Sequence, residues 1–311
     1  MCLAVFGRFK VGVGPSSSHT MGPMVAAGLF LDLLRVSPLE AAGLKARLHG
    51  SLAFTGVGHA TDRATLLGLA GFSPETYDAA SAEDALEAMK RTKVVSPEGL
   101  GTLSLDPASD IAFDFGPSLP GHTNGMILMA TDAQGDVILQ QTYYSIGGGF
   151  VVTAEEMASG VSTGDMDPYP HEFNTANELL ALCAAQGKSI AQIKRENELS
   201  RRSAAALDRG LAKIWDVMNE CINRGLERGG ILPGGLNVKR RAKPIHEALV
   251  AERGLNMPAP HTINDWMSVY AMAVNEENAA GGIFLINRHR INAHPIIDRM
   301  RGGHIEPALG H

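Results

Sequence analysis

Cysteine is scarce. Cys2, Cys183 and Cys221 are the only three in 311 residues, they form no C-x-x-C pair, and they are too scattered for a disulfide scaffold. Such thiols act as small apolar or free side chains, which excludes the disulfide-rich secreted class. Aromatic residues amount to 5% of the chain, and no apolar run reaches the roughly 20 residues of a spanning helix. The start, MCLAVFGRFKVGVG, has neither the charged opening nor the long apolar middle of a secretory signal. A cytoplasmic protein is therefore expected, with no membrane partner. An excess of positive charge is also missing: 27 Lys and Arg face 33 Asp and Glu, the net charge is −6, and Lys239-Arg240-Arg241 is a short basic block. A surface built to neutralise phosphates, and hence nucleic acid as a partner, is not expected. No lysine stands in a phosphate-cradling context, so pyridoxal phosphate is not expected either.

The hydrophobic share of 45% and charged share of 19% are those of a folded chain with a buried core. Its length accommodates two domains. Apolar spacing predicts a helix over 22–35, a short strand over 45–49, and helices after Ala60 and over 80–91. Residues 96–123, rich in Pro and Gly, predict short strands and turns, and 124–131 with 137–144 predict a hairpin across Asp132-Ala133-Gln134-Gly135. The segment ASGVSTGDMDPYPHEF reads as a linker. Helical patterns follow over 174–186, 189–199, 203–228, 240–252 and 262–279. The fold class is α+β: an α/β domain over 1–155, a linker over 156–173, and a mostly helical domain over 174–282. On the longest helix, Leu207, Leu211, Ile214, Trp215, Met218 and Ile222 share one face, which predicts a bundle core.

Within this frame the run Gly14-Pro15-Ser16-Ser17-Ser18-His19-Thr20 opens the first long helix. One hydroxyl suffices to cap a helix, so the surplus also suits an anion cradle made of hydroxyls, free amides and the positive helix end. The loop from Gly50 to His59 leads into a second helix, with Thr61 or Asp62 placed to cap it. A glycine-flanked His59 is either structural or a proton acceptor with close access. Tyr143-Tyr144-Ser145 runs into Gly147-Gly148-Gly149, where the backbone turns sharply or approaches something closely. Ser145 is either a turn serine or a ligand-facing hydroxyl. Near the end, Asn275-Glu276-Glu277-Asn278 before two glycines reads, on its own, as a solvated helix end.

Taken in order, GPSSSHTMGPM, HGSLAFTGVGHATD, NGMILMATD, QTYYSIGGGF, NELLALC, IWDVMNECINRG, ILPGGLNVKRRA and AVNEENAAGG resemble the bacterial iron–sulfur L-serine dehydratases of the single-chain type, over residues 1 to about 282. The resemblance implies an N-terminal α/β domain related to allosteric amino-acid-binding domains and a helical catalytic domain. It implies a lyase that takes L-serine to pyruvate and ammonia with a 4Fe-4S cluster as Lewis acid on the β-hydroxyl and a base at Cα. It places Ser16, Ser17 and Ser18 on the substrate carboxylate, with His19 holding them, and His59 as the base. Thr61 and Ser145 then join the catalytic group and Asn278 contacts the substrate. Where relatives often carry a second histidine, this chain has Ala60. A homodimer is compatible with the resemblance.

After Gly282 the match is expected to stop. Relatives continue into a TAPTNGA-like stretch and the helical region bearing the cluster cysteines, whereas this chain reads IFLINRHRINAHPIIDRMRGGHIEPALGH. Residues 283–311 are therefore expected to be a divergent tail, as from a truncation or frame change, and the cluster ligands are expected to be missing, so no metal ligand is assigned. The alternative to an enzyme, inactive as this chain alone, is a non-catalytic amino-acid binder or a remnant. His289, His294, His304 and His311 have spacings that match no zinc pattern.

Overall fold

The computed structural model describes residues 5–159, 169–233, 237–253 and 263–287. Cys2 and the four tail histidines lie outside the described residues. The chain opens with α1 (Val5–Arg8), β1 (Phe9–Val13), a π-helical turn (Ser17–Met21) and α2 (Gly22–Val36). It continues through β2 (Gly43–His49), α3 (Ser51–Phe54), a 3-10 turn (Val57–His59), α4 (Thr61–Leu69) and α5 (Ala79–Thr92). Then come β3 (Val94–Val95), β4 (Leu103–Ser104), β5 (Ile111–Asp114), β6 (Gly125–Thr131), β7 (Val137–Gly147) and β8 (Phe150–Thr153). Helices follow: α6 (Ala154–Ser159), α7 (Ala176–Gln186), α8 (Ile190–Leu199), α9 (Ala204–Glu227), α10 (Ala242–Arg253) and α11 (Ile263–Ala279), before β9 (Ile283–Asn287). The mixed α/β region followed by a helical region agrees with the expected class.

The main sheet has the order β3-β4-β2-β6-β7-β8, with β5 also on β2. Its buried face follows the two-residue period: Met126, Leu128 and Ala130 point inward along β6, while Leu44, Ala46 and Leu48 do so along β2. Helix α2 covers that face with Met24, Ala27, Phe30, Leu31 and Leu34, spaced three and four apart. Helix α4 packs closely on α2 because Gly68 has no side chain; a Cβ there would lie 2.6 Å from both Ala27 Cβ and the Met24 carbonyl oxygen. The helical region is capped by short polar side chains: Thr175 accepts from Glu178 N–H, Ser203 accepts from Ala206 N–H, and Ser189 with Gln192 forms a reciprocal capping box.

Two expectations change. Trp215 is 64% exposed and Leu211 is also exposed, and on α9 the buried residues are Leu207, Cys221 and Gly225. The apolar face is thus packed unevenly: Ile214, Met218 and Ile222 are half-buried, Gly210 takes the Phe6 ring at close range, and Gly225 sits against Ala273 of α11. Residues 283–287 form a strand, antiparallel to β1 in the register Val13↔Ile283 through Phe9↔Asn287. This pairing ties the far end of the described chain to its beginning and brings α11 beside the serine run.

Candidate active site

The serine run folds as a π turn that passes into α2 without a break. Ser16 is its cap, with extended backbone, its Oγ accepting from His19 N–H at 3.2 Å while its own N–H donates to Thr20 Oγ1 at 3.2 Å. The amides of Thr20 and Met21 both donate to the Ser16 carbonyl, at 3.0 and 3.1 Å. The Ser17 and Ser18 amides stand in the first turn, where a helix has no preceding carbonyl to offer them. One serine is therefore consumed by capping. Ser18 Oγ is instead 2.8 Å from His19 Nδ1, and His19 Nε2 is 2.9 Å from Ser51 Oγ. The imidazole thus joins the serine run to the β2–α3 turn.

The His59 loop is attached to the same place. Thr20 Oγ1 donates to the His59 carbonyl at 2.9 Å, and the His19 and His59 rings lie 4.9 Å apart between centroids. The Thr55 carbonyl is 2.9 Å from His59 Nδ1. A carbonyl can only accept, so Nδ1 carries the proton and Nε2 of neutral His59 keeps its lone pair. Burial holds the His19 pKa below the usual 6.5, assisted by repulsion from His59 and opposed by a hydrogen bond with Ser51. The capping expectation for Thr61 or Asp62 is corrected here. Ala60, left-handed at φ 51°, caps α4 without a side-chain bond, and Thr61 is the first helical residue, 0% exposed with Oγ1 unpartnered among the described residues.

Ser145 and Asn278 border the turn from two other elements. Ser145, on β7, is 0% exposed, and its Oγ has no hydrogen-bond partner among the described residues. Its backbone is fixed by exchange with Asn124: the Ser145 N–H donates to the Asn124 carbonyl at 3.0 Å, and Asn124 Nδ2 donates back at 3.1 Å. A Cβ on Gly22 would overlap Ser145 Oγ and lie 2.7 Å from its Cβ. The triple glycine has positive φ throughout, and at Gly149 a Cβ would lie 2.6 Å from Met21 Sδ, so the close approach expected from sequence is made to the π turn. Asn278 meets Gly14 from the end of α11: a Cβ on Gly14 would overlap the Asn278 carbonyl oxygen and lie 2.8 Å from its Oδ1, which is buried and unpartnered among the described residues. His59, Ser145 and Asn278 therefore lie beside the stretch 14–22 that carries Ser16 to His19, and Thr61 follows two residues after His59. Sequence reasoning missed Ser51 and Asn124. Ser51 follows Gly50, whose φ of 55° makes the turn, but its bond to His19 spans 32 residues and has no local signal.

Residues 4–156 match the family model for the serine dehydratase beta chain, and residues 185–288 match that for the alpha chain. The chain belongs to the L-serine dehydratase family. It is 43% identical over 284 residues to L-serine dehydratase of Streptomyces coelicolor, covering 91% of this chain and 62% of that one. It is 42% identical over 283 residues to L-serine dehydratase TdcG of Escherichia coli, covering 90% and 61%. With L-serine dehydratase of Helicobacter pylori it shares 38% over 282 residues, covering 90% and 61%. The chain thus spans about three fifths of the length of these curated relatives. The alpha-chain match runs to residue 288, past Gly282 and through β9.

L-serine dehydratases of this family use a 4Fe-4S cluster. The described residues do not fit one. Cys183 is half-buried on α7 and Cys221 is buried on α9, and no group of three or more His, Cys, Asp or Glu among the described residues could hold a metal ion. Burial pushes the Cys221 thiol up to about 11, against a smaller pull from Arg224, so it is not poised as a thiolate ligand. No helix among the described residues is long and apolar enough to cross a membrane.

Proposed function

We propose that this chain supplies the serine-binding and Cα-deprotonating groups of an L-serine ammonia-lyase. The carboxylate of L-serine is received by the free amides of the π turn and the hydroxyls of Ser16, Ser17 and Ser18, at the positive end of α2. His19 holds Ser18 from one side and is itself held by Ser51. Its lowered pKa keeps it neutral, so a proton placed on the neighbouring His59 meets no second charged ring. His59 Nε2 takes the Cα proton. Ser145 Oγ, Thr61 Oγ1 and Asn278 Oδ1 are buried polar atoms that lack partners, and a polar substrate would satisfy them.

The observation that carries this reading is the 2.9 Å bond between His59 Nδ1 and the Thr55 carbonyl, which leaves the basic nitrogen free beside an anion-receiving turn. A second reading, a serine binder without turnover, is favoured for this chain alone by the poor fit of Cys183 and Cys221 to a thiolate set. The division into a 1–155 domain, a linker and a 174–282 domain, the α/β part serving as an amino-acid-binding module, belongs to the same proposal, as do a cytoplasmic location and a homodimeric assembly.

Calorimetry of the full chain with L-serine, with D-serine as control, tests the binding step. Saturable heat with L-serine, retained in His59→Asn and weakened about tenfold in Asn278→Ala, is expected. Absence of L-serine binding to a folded chain would overturn the proposal. Anaerobic supply of iron and sulfide followed by a pyruvate assay separates the two readings: pyruvate that depends on His59 supports the lyase, and binding without pyruvate supports the binder.

A further inference from the structure

The pair Glu276-Glu277, which reads from sequence as a solvated helix end, is buried. Glu276 is 6% exposed and Glu277 is 0% exposed. Each carboxylate gathers a different part of the helical region. Glu276 Oε1 accepts from the backbone amides of Arg241 and Ala242 at 2.7 and 3.3 Å, so it closes the start of α10. Glu277 Oε2 accepts from Arg224 Nε at 3.3 Å and Arg228 Nη1 at 3.2 Å, both near the end of α9, while its Oε1 accepts from Arg240 Nη1 at 2.9 Å.

Three guanidinium groups on one buried carboxylate exceed what neutralising it requires. The arrangement fixes a position. Arg224 also donates from Nη2 to the Ile283 carbonyl at 3.0 Å, at the first residue of β9. Gly282 N–H donates to the Glu277 carbonyl at 2.9 Å, and the Gly282 carbonyl accepts from Gly14 N–H at 3.1 Å. The cluster therefore holds both sides of the Asn278–Gly282 corner, and that corner is what touches Gly14, two residues before the serine run.

We infer that Glu277 is a positioning residue for the serine site: held by Arg224, Arg228 and Arg240, it sets the end of α11 so that Asn278 Oδ1 is presented beside Gly14, at the entry to the serine run. The inference rests on the serine-binding reading for its consequence, but the positioning itself is measurable without any ligand. Glu277→Asp keeps the charge and shortens the reach by one methylene, so it cannot meet all three guanidinium groups at once.

Hydrogen–deuterium exchange of the full chain tests the positioning. In Glu277→Asp, peptides covering residues 12–21 are expected to exchange roughly tenfold faster while those covering α7 and α8 do not change. Arg228→Ala, at a half-exposed position, is expected to give a smaller change in the same peptides. Unchanged exchange over 12–21 in both variants would overturn the inference, whether or not serine binds. Where the native chain binds serine, Glu277→Asp is expected to weaken it about tenfold, the cost of one charge-assisted hydrogen bond. In a double-mutant cycle Asn278→Ala then costs little more in the Glu277→Asp background. Fully additive losses would overturn the inference, and absence of serine binding by the native chain would instead sink the functional proposal.

Discussion

Replacing Gly22 with alanine separates helix propensity from site geometry. Gly22 has helical backbone angles, φ −56° and ψ −53°, so by propensity alone alanine would stabilise α2 by about 0.8–1 kcal/mol. The new Cβ, however, overlaps Ser145 Oγ and stands 2.7 Å from Ser145 Cβ. Ser145 cannot retreat, because its amide and carbonyl are both bonded to Asn124. Overpacking of this kind costs typically 1–3 kcal/mol, so a net destabilisation of about 1 kcal/mol is expected, a shift of a few degrees in melting temperature. Serine affinity is expected to fall about tenfold as the Ser145 hydroxyl is displaced. Urea titration and calorimetry read the two effects. Ser145→Gly removes both clashing atoms, so in the double variant most of the stability lost to Gly22→Ala is expected to return. A Gly22→Ala protein more stable than native, with native serine affinity, would refute the assignment of Ser145 to the site wall.

Thr61→Val removes a buried hydroxyl that has no partner; we expect stability unchanged or raised by about 1 kcal/mol in denaturant titration, together with weaker serine binding. His19 carries a linkage to pH: its folded pKa lies below 6.5, so between that value and 6.5 the unfolded chain binds more protons. Its contribution is thus present above 6.5 and lost as pH falls through the folded pKa, and an NMR titration of the His19 ring is expected to show a midpoint under 6.5. A midpoint above 6.5 would contradict the neutral His19 of the proposed mechanism. With its thiol pushed up to about 11, Cys221 is expected to resist a thiol reagent at pH 8 in the folded chain and react in urea, whereas half-buried Cys183 reacts first.

The elements with strong local signals were legible in the sequence. Helix α2 and the β6–β7 hairpin declare themselves by periodicity, and the helices of the second half by periodicity with polar caps. The serine run was legible as a surplus, since one cap explains Ser16 and leaves Ser18 and His19 over. What stayed hidden depended on partners remote in sequence. Ser51 has no local mark of its bond to His19, 32 residues away. The exposure of Trp215 could not be read either, because an apolar stripe states only that a partner is wanted. Glu277 failed for the opposite reason: charge at a helix end normally means solvent, and its three arginines come from residues 37 to 53 positions earlier.

The location of the proposed site follows from these remote contacts. Neither half of the described chain builds it alone: the turn, His59 and Ser145 belong to the α/β region, whereas Asn278 arrives on α11 and is held there by β1–β9 pairing and the Glu277 cluster. A ligand bound across such a seam must stabilise the seam, since binding to the folded form alone contributes RT ln(1 + [L]/Kd), about 2.7 kcal/mol at a hundredfold excess over Kd. Serine should therefore protect the β1–β9 amides from exchange as well as those of the π turn. Protection confined to the α/β side would mean that Asn278 lies near the substrate without touching it.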